Sequence, residues 1–307
     1  MPLPLKVLAD IPLPGTVSRF DYESDDAARH RLFIAHLGDD EVLAFDTQAQ
    51  RVVGRIGGLS RVHGVLTIPE LGRVYASATG TNEVAAIDAQ RLTVMARVPG
   101  GHYPDGMAYA PPVHQLFVSD ETGRTETVID VRSNRRVATI PLGGEVGNSQ
   151  YDPVSRHVFV NVQTRAQLVE IDPDGERIVR RIDLPGAEGN HGLLIEPRRR
   201  LAFIACEDDD KLLVFDLHSL RVKQSFHVGH QPDVLAYDAG LGLLYVASES
   251  GVVALFRLER DRLDEVGEGE LAPNAHVVAV DPLTHRSYFP VRNLDGHPAL
   301  RIAVYAP

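Results

Sequence analysis

Three histidines and two aspartates lie too far apart for any one helix or hairpin to collect them, yet together they make a coherent donor set. His63, Asp105, His191, Asp233 and His276 each follow a turn and open a short apolar run. Ser18 or Arg19 and Asn148 take the same place before two further runs. Neutral imidazole binds Zn, Fe, Cu or Ni, and carboxylates extend the choice to a harder ion such as Mn. The expected cofactor is therefore a divalent metal ion (Zn, Fe, Mn, Ni or Cu) held by His63, His191 and His276. Asp105 and Asp233 would be added ligands or acceptors that fix the histidine tautomers. Three protein ligands with open positions describe a catalytic rather than a structural site. No local HxxxH or CxxC pair contributes, so any convergence must come from the fold.

Other side chains are candidates for moving protons or gripping a substrate. His102 and His230 stand three residues before Asp105 and Asp233, in Gly-His-Tyr-Pro-Asp and Gly-His-Gln-Pro-Asp. Unperturbed histidine titrates near neutrality, so these four residues form the catalytic set. The same duplication is also what a repeated turn with a φ-fixing proline produces. Arg19 and Arg292 suit bidentate binding of a carboxylate, and with Asn148 they are the expected substrate-binding residues. Acidic loops at Asp39-Asp40-Glu41, Asp120-Glu121 and Glu207-Asp208-Asp209-Asp210 either concentrate cations or keep the surface soluble. Cys206 borders the last of these. Neighbouring carboxylates disfavour its thiolate, so it is expected to pack rather than react. There is no Gly-x-Ser-x-Gly elbow, P-loop or dinucleotide fingerprint in context, and no calcium loop.

The positioning elements are legible as a repeat. An aromatic or isoleucine followed by aspartate recurs at Phe45-Asp46, Ile87-Asp88, Ile129-Asp130, Ile171-Asp172 and Phe215-Asp216, at intervals of 42, 42, 42 and 44 residues. Phe256-Arg257 follows 41 residues later as a degenerate copy. Each copy is preceded by a strand such as Leu116-Phe117-Val118 or Leu244-Tyr245-Val246. A second anchor, a strand ending in an acidic residue or proline, runs in phase: Tyr109-Ala110-Pro111, Tyr151-Asp152-Pro153, Ile195-Glu196-Pro197, Val280-Asp281-Pro282, with Tyr22-Glu23-Ser24 as a variant. Four short strands per forty-odd residues predict an all-β, seven-bladed β-propeller with four-stranded blades. Residues 1–307 form one such domain. Lys6–Ile11 supplies the outer strand that the last blade lacks and closes the ring, which removes an open sheet edge. Innermost strands are expected near 18–23, 63–68, 105–110, 148–152, 191–196, 233–238 and 276–281.

The stretches RVYASATGTNEVAAID, HVFVNV and LLYVAS, with PDGMAYAP and GHQPDVLAYD ahead of such strands, resemble the YVTN-type β-propeller repeat family. Lactonase-like and cyclase-like propellers are more distant relatives. That resemblance implies the fold over nearly the whole chain and leaves function open, since the family includes binding and surface proteins.

Composition narrows the choice. With 31 basic and 42 acidic residues the net charge is −11, which disfavours a phosphate backbone as partner. Trp is absent, unlike WD repeats. A single cysteine excludes an intrachain disulfide. No signal-peptide pattern or apolar stretch of membrane-spanning length is found, so no membrane association and a cytoplasmic location are expected. The leading expectation is a metal-dependent enzyme (hydrolase, lyase or isomerase) acting on a small polar organic substrate in the central channel. One alternative is a non-catalytic propeller binding a protein, peptide or small ligand on its rim. The other is a metal-free, lactonase-like hydrolase.

Overall fold

The computed structural model describes residues 1–307. Each repeat folds into four antiparallel strands, and seven such sheets form a ring. The fifth blade is representative, with strands Asn190–Glu196, Leu201–Cys206, Lys211–Asp216 and Arg221–His227 running from the axis outward. Its second and third strands read as near-continuous apolar runs because both faces are covered by neighbouring blades. The core is accordingly seven clusters of 10 to 13 buried residues, each shared by two adjacent blades. The cluster that joins the first blade to the last packs Phe20, Leu32 and Phe45 against Tyr288, Leu300 and Ile302.

Closure is as the sequence predicts. Leu5–Pro12 pairs antiparallel with His297–Tyr305 as the outer strand of the last blade. Arg301 forks onto both carboxylate oxygens of Asp10 at 2.8 and 2.9 Å across this seam. Chain ends are thus locked into one sheet, and no blade is left short of a strand.

The recurring aspartate has a local cause. It ends the third strand, and its Oδ1 accepts backbone N–H groups of the turn to the outer strand: Gln48 and Ala49 for Asp46, Gln90 and Arg91 for Asp88, Arg132 and Ser133 for Asp130, His218 and Ser219 for Asp216. Such Asx turns satisfy donors that the ladder cannot. Asp152 and Asp238 likewise accept turn N–H groups at the end of the innermost strand, two turns earlier in their blades, which explains the second anchor. Arg257 breaks the series; there the third strand continues to Glu259 and the outer strand starts at Arg262.

These hydrogen bonds hold turn carboxyls below their ordinary range. Backbone donors lower Asp46, Asp88 and Asp216, and Arg132 together with Ser133 lowers Asp130 to about 2. A depressed folded-state pKa stabilises above the unfolded value of about 4 and loses that contribution as pH falls through the folded value. Thermal stability should therefore drop steeply between about pH 4 and pH 2. Asp130→Ala should cost about 1–3 kcal/mol at neutral pH and make that acid limb shallower, as read by calorimetry; an unchanged limb would contradict the turn assignment.

Candidate axial site

Strand pairing defines which residues meet on the axis. In five blades the innermost strand slips register against the second strand just after its first residues, at Val62/Val65, Pro104/Met107, Val146/Ser149, Asn190/Leu193 and Pro232/Val234. In four of them the residue just inside the slip is a predicted ring member: His63, Asp105, His191 and Asp233. His276 occupies this place in the last blade. The equivalent residues in the other two blades are Asp21 and Gly147, so the ring recurs every 42, 42, 42, 44, 42 and 43 residues.

This corrects the expected ring at two blades. The first innermost strand is Glu23–Asp26, not 18–23, because Asp25-Asp26 and not Tyr22-Glu23 ends it. The anchoring proline is missing there, so Arg19 falls two residues before the ring, on the cavity wall. In the fourth blade Asn148 stands one residue past the ring. Gly147 is needed at the ring itself, since a Cβ would lie 2.6 Å from the His191 carbonyl oxygen and 2.7 Å from its Cα.

The ring opens into a cavity of about 530 Å³. Six carboxylates line it (Asp21, Asp105, Glu121, Glu207, Asp233 and Glu249) against two guanidiniums, Arg19 and Arg61. His63, His191 and Tyr103 complete the polar wall. Tyr22 crosses beneath them: its hydroxyl lies 2.9 Å from Asn148 Oδ1 and 3.2 Å from His191 Nε2, residues of the fourth and fifth blades. It also lines a smaller cavity of about 150 Å³ further along the channel, and so separates the two.

The imidazoles are held differently. His63 Nδ1 donates to the Arg61 carbonyl at 2.7 Å and its Nε2 pairs with the Tyr103 hydroxyl at 3.0 Å. His191 Nδ1 is 3.3 Å from Gln163 Oε1, and its Nε2 faces Tyr22, Asp105 at 3.7 Å and Asp233 at 3.9 Å. His276 Nδ1 donates to the Asn274 carbonyl at 3.1 Å, while its Nε2 is buried without a hydrogen-bond partner. The donor atoms that converge are Asp21–Asp233–His276 and His191–Glu207–Asp233. The three histidines do not form one such group; carboxylates intervene between them. A third group, His36–Asp39–Glu41, lies in the first blade away from the ring, where Arg55 takes Glu41 through two 2.8 Å bonds.

Burial and crowding set the charges. Burial, reinforced by Asp21, pushes the Asp105 carboxyl well above the carboxylate range. Burial also raises Asp233, outweighing His191 and His276. Asp21 goes the other way: burial opposes ionisation, but His276, His63 and Arg19 hold it down. For His191 burial favours the neutral ring, yet Glu207, Asp233, Asp105 and Glu121 raise it to about 10. The well thus has both signs buried, with acid in excess.

His102 and His230 lie outside it. Both are exposed; His102 Nδ1 is 2.6 Å from Thr122 Oγ1, and His230 Nδ1 is 3.0 Å from Asp210. Arg292 is exposed on the strand Arg286–Leu294 and does not line the cavity. Cys206 is fully buried, and burial pushes its thiol up to about 12, in keeping with packing. Sequence reasoning missed Asp21, Tyr22, Arg61, Tyr103 and Glu249. The even 42-residue step back from His63 was the signal for Asp21; the others are brought in only by the fold.

Fold and site together define a seven-bladed propeller with an acidic axial well. Comparison with protein-family models finds no match, and neither does comparison with curated proteins. Among solved structures the chain is similar to Kuenenia stuttgartiensis hydrazine synthase, with a TM-score of 0.81 and 14% identity over 96% of both chains. It is also similar to the RRP9 WD40 repeats (TM-score 0.82, 14% identity, 98% of this chain and 99% of the other). The structure of U3-55K matches with a TM-score of 0.79 and 14% identity over 98% of each chain. At such identity these likenesses establish the propeller fold. No helix is long and apolar enough to cross a membrane.

A buried acid whose folded pKa is raised stabilises below its unfolded pKa and loses that contribution as pH rises through the folded value. Asp105 therefore weighs against the fold at neutral pH. Asp105→Asn should raise stability at pH 7 by about 1–3 kcal/mol and flatten the decline above about pH 4. A destabilised variant would show instead that the ionised carboxylate is compensated in the well.

Proposed function

We propose that this chain is a binding propeller, without catalytic activity of its own, whose acidic channel mouth receives a basic side chain of a protein or peptide partner. The observation that carries this reading is the trio Glu121, Glu207 and Glu249 around one cavity, of which only Glu249 is paired with a guanidinium, that of Arg19. Glu121, Glu207 and Glu249 are partly exposed at the mouth, where they attract a cation without the full desolvation penalty of the ring. The Tyr103 ring stands beside them, with the Arg61 guanidinium already 5.9 Å from its centroid, a contact that a partner cation can share. Likeness of the fold to the RRP9 WD40 repeats supports a protein partner.

A second reading keeps the metal-dependent enzyme acting on a small polar substrate, and the mixed carboxylate–imidazole groups favour it. Against it, neither His102 nor His230 lies where it can reach a substrate in the well, and His63 Nε2 is taken by Tyr103.

The test is a positional peptide library read by fluorescence anisotropy. Peptides with Arg or Lys at one position should bind, and Glu121→Gln/Glu207→Gln/Glu249→Gln should weaken them about tenfold or more, with affinity falling as salt rises. Equal binding of neutral peptides, or indifference to the triple substitution, would contradict the reading.

A further inference from the structure

We propose that the floor of the axial well is a divalent metal site whose ligands are Asp21, Asp233 and His276. This goes beyond the partner reading and does not depend on it, because the mouth carboxylates are not among the ligands.

One buried nitrogen at this place is an orphan. His276 is 1% exposed, yet its Nε2 has no hydrogen-bond partner. Buried polar atoms are rarely left so, and each exception calls for an explanation. The Nδ1 proton of His276 is committed to the Asn274 carbonyl, which fixes the ring and aims Nε2 at the axis. This is the support that metal-bound histidines ordinarily have.

Two carboxylates face that nitrogen at non-bonding range. Asp21 Oδ1 is 3.7 Å away and Asp233 Oδ2 is 3.9 Å away. Both separations are too long for a hydrogen bond. Metal bonds of about 2.0–2.2 Å set two donors about 3.3–3.8 Å apart at tetrahedral to trigonal angles. The gaps therefore match the edges of a coordination polyhedron more closely than those of a direct ion pair. Arg19 donates to the same Oδ1 of Asp21 at 3.0 and 3.2 Å; it fixes the carboxylate in place, and a carboxylate oxygen has a second lone pair to offer an ion.

The companion group His191–Glu207–Asp233 is the weaker place, because His191 Nε2 already meets the Tyr22 hydroxyl at 3.2 Å. One imidazole with two carboxylates selects a first-row ion such as Zn²⁺ or Mn²⁺ over Ca²⁺, which takes oxygen ligands.

The probes are Co²⁺, followed by its visible absorption, and Mn²⁺, followed by electron paramagnetic resonance, each titrated into full-length protein stripped with chelator. One equivalent per chain is expected, with a rise in melting temperature. His276→Ala and Asp21→Asn should each lower affinity about tenfold or more, while His63→Ala should not. Circular dichroism confirms that each variant folds. If His276→Ala does not fold, Asp21→Asn against His63→Ala decides. No binding by folded wild-type protein would overturn the site, and so would a loss confined to His63→Ala or His191→Ala. Peptide binding measured in chelator reports on the mouth separately, so failure of one proposal is distinguishable from failure of the other.

Discussion

The close approach of seven innermost strands around one axis is the constraint on which the rest depends. It is tight enough that a Cβ at Gly64 would lie 2.2 Å from the Asp105 carbonyl oxygen, and one at Gly192 2.1 Å from that of Asp233. Backbones meet edge to edge there, and the residue just before each contact projects into the well. Asp21, His63, Asp105, His191, Asp233 and His276 therefore face one another whatever their chemistry, and only Gly147 leaves a space. Hydrophobic packing between blades, continuous around the ring through the seam of the terminal strands, holds that geometry rigid.

Rigidity at the axis gives charge its significance. A flexible site would spread its carboxylates into solvent, whereas here burial keeps Asp105 and Asp233 against their neighbours. The strain is electrostatic rather than steric. It is graded along the channel: partly exposed carboxylates at the mouth, then a buried ring, then Tyr22 as a partition from the cavity beyond. A gradient of that kind suits a cationic group entering from one face and a smaller, fully dehydrated cation at the floor.

Much of this was legible in the sequence. The Ile-Asp series predicted the blades because its aspartate caps a turn, a local device that each repeat must solve alone. Closure by Lys6–Ile11 followed from counting strands. Five of the seven ring positions followed from turn chemistry, His63 and Asp233 among them. The first blade departs because its innermost strand lacks the terminal proline, so that Tyr22-Glu23 imitates the strand end that is really Asp25-Asp26. The fourth keeps Pro153, at the same distance from Gly147 as in the other blades. Asn148 drew attention because it is polar, although the ring position beside it belongs to a glycine with no side chain to notice. Glu249 and Tyr103 were invisible as site residues, since their place depends on how far loops lean over the channel. Repeat position and residue type together group the three histidines. Distances instead group histidine with carboxylate.

The most direct test is an anomalous diffraction measurement on crystals grown with Mn²⁺, with data collected near the manganese edge. The account predicts one strong peak on the channel floor, within bonding distance of Asp21, Asp233 and His276 Nε2. Ordered water alone at that place, or a peak centred on His63, would contradict it.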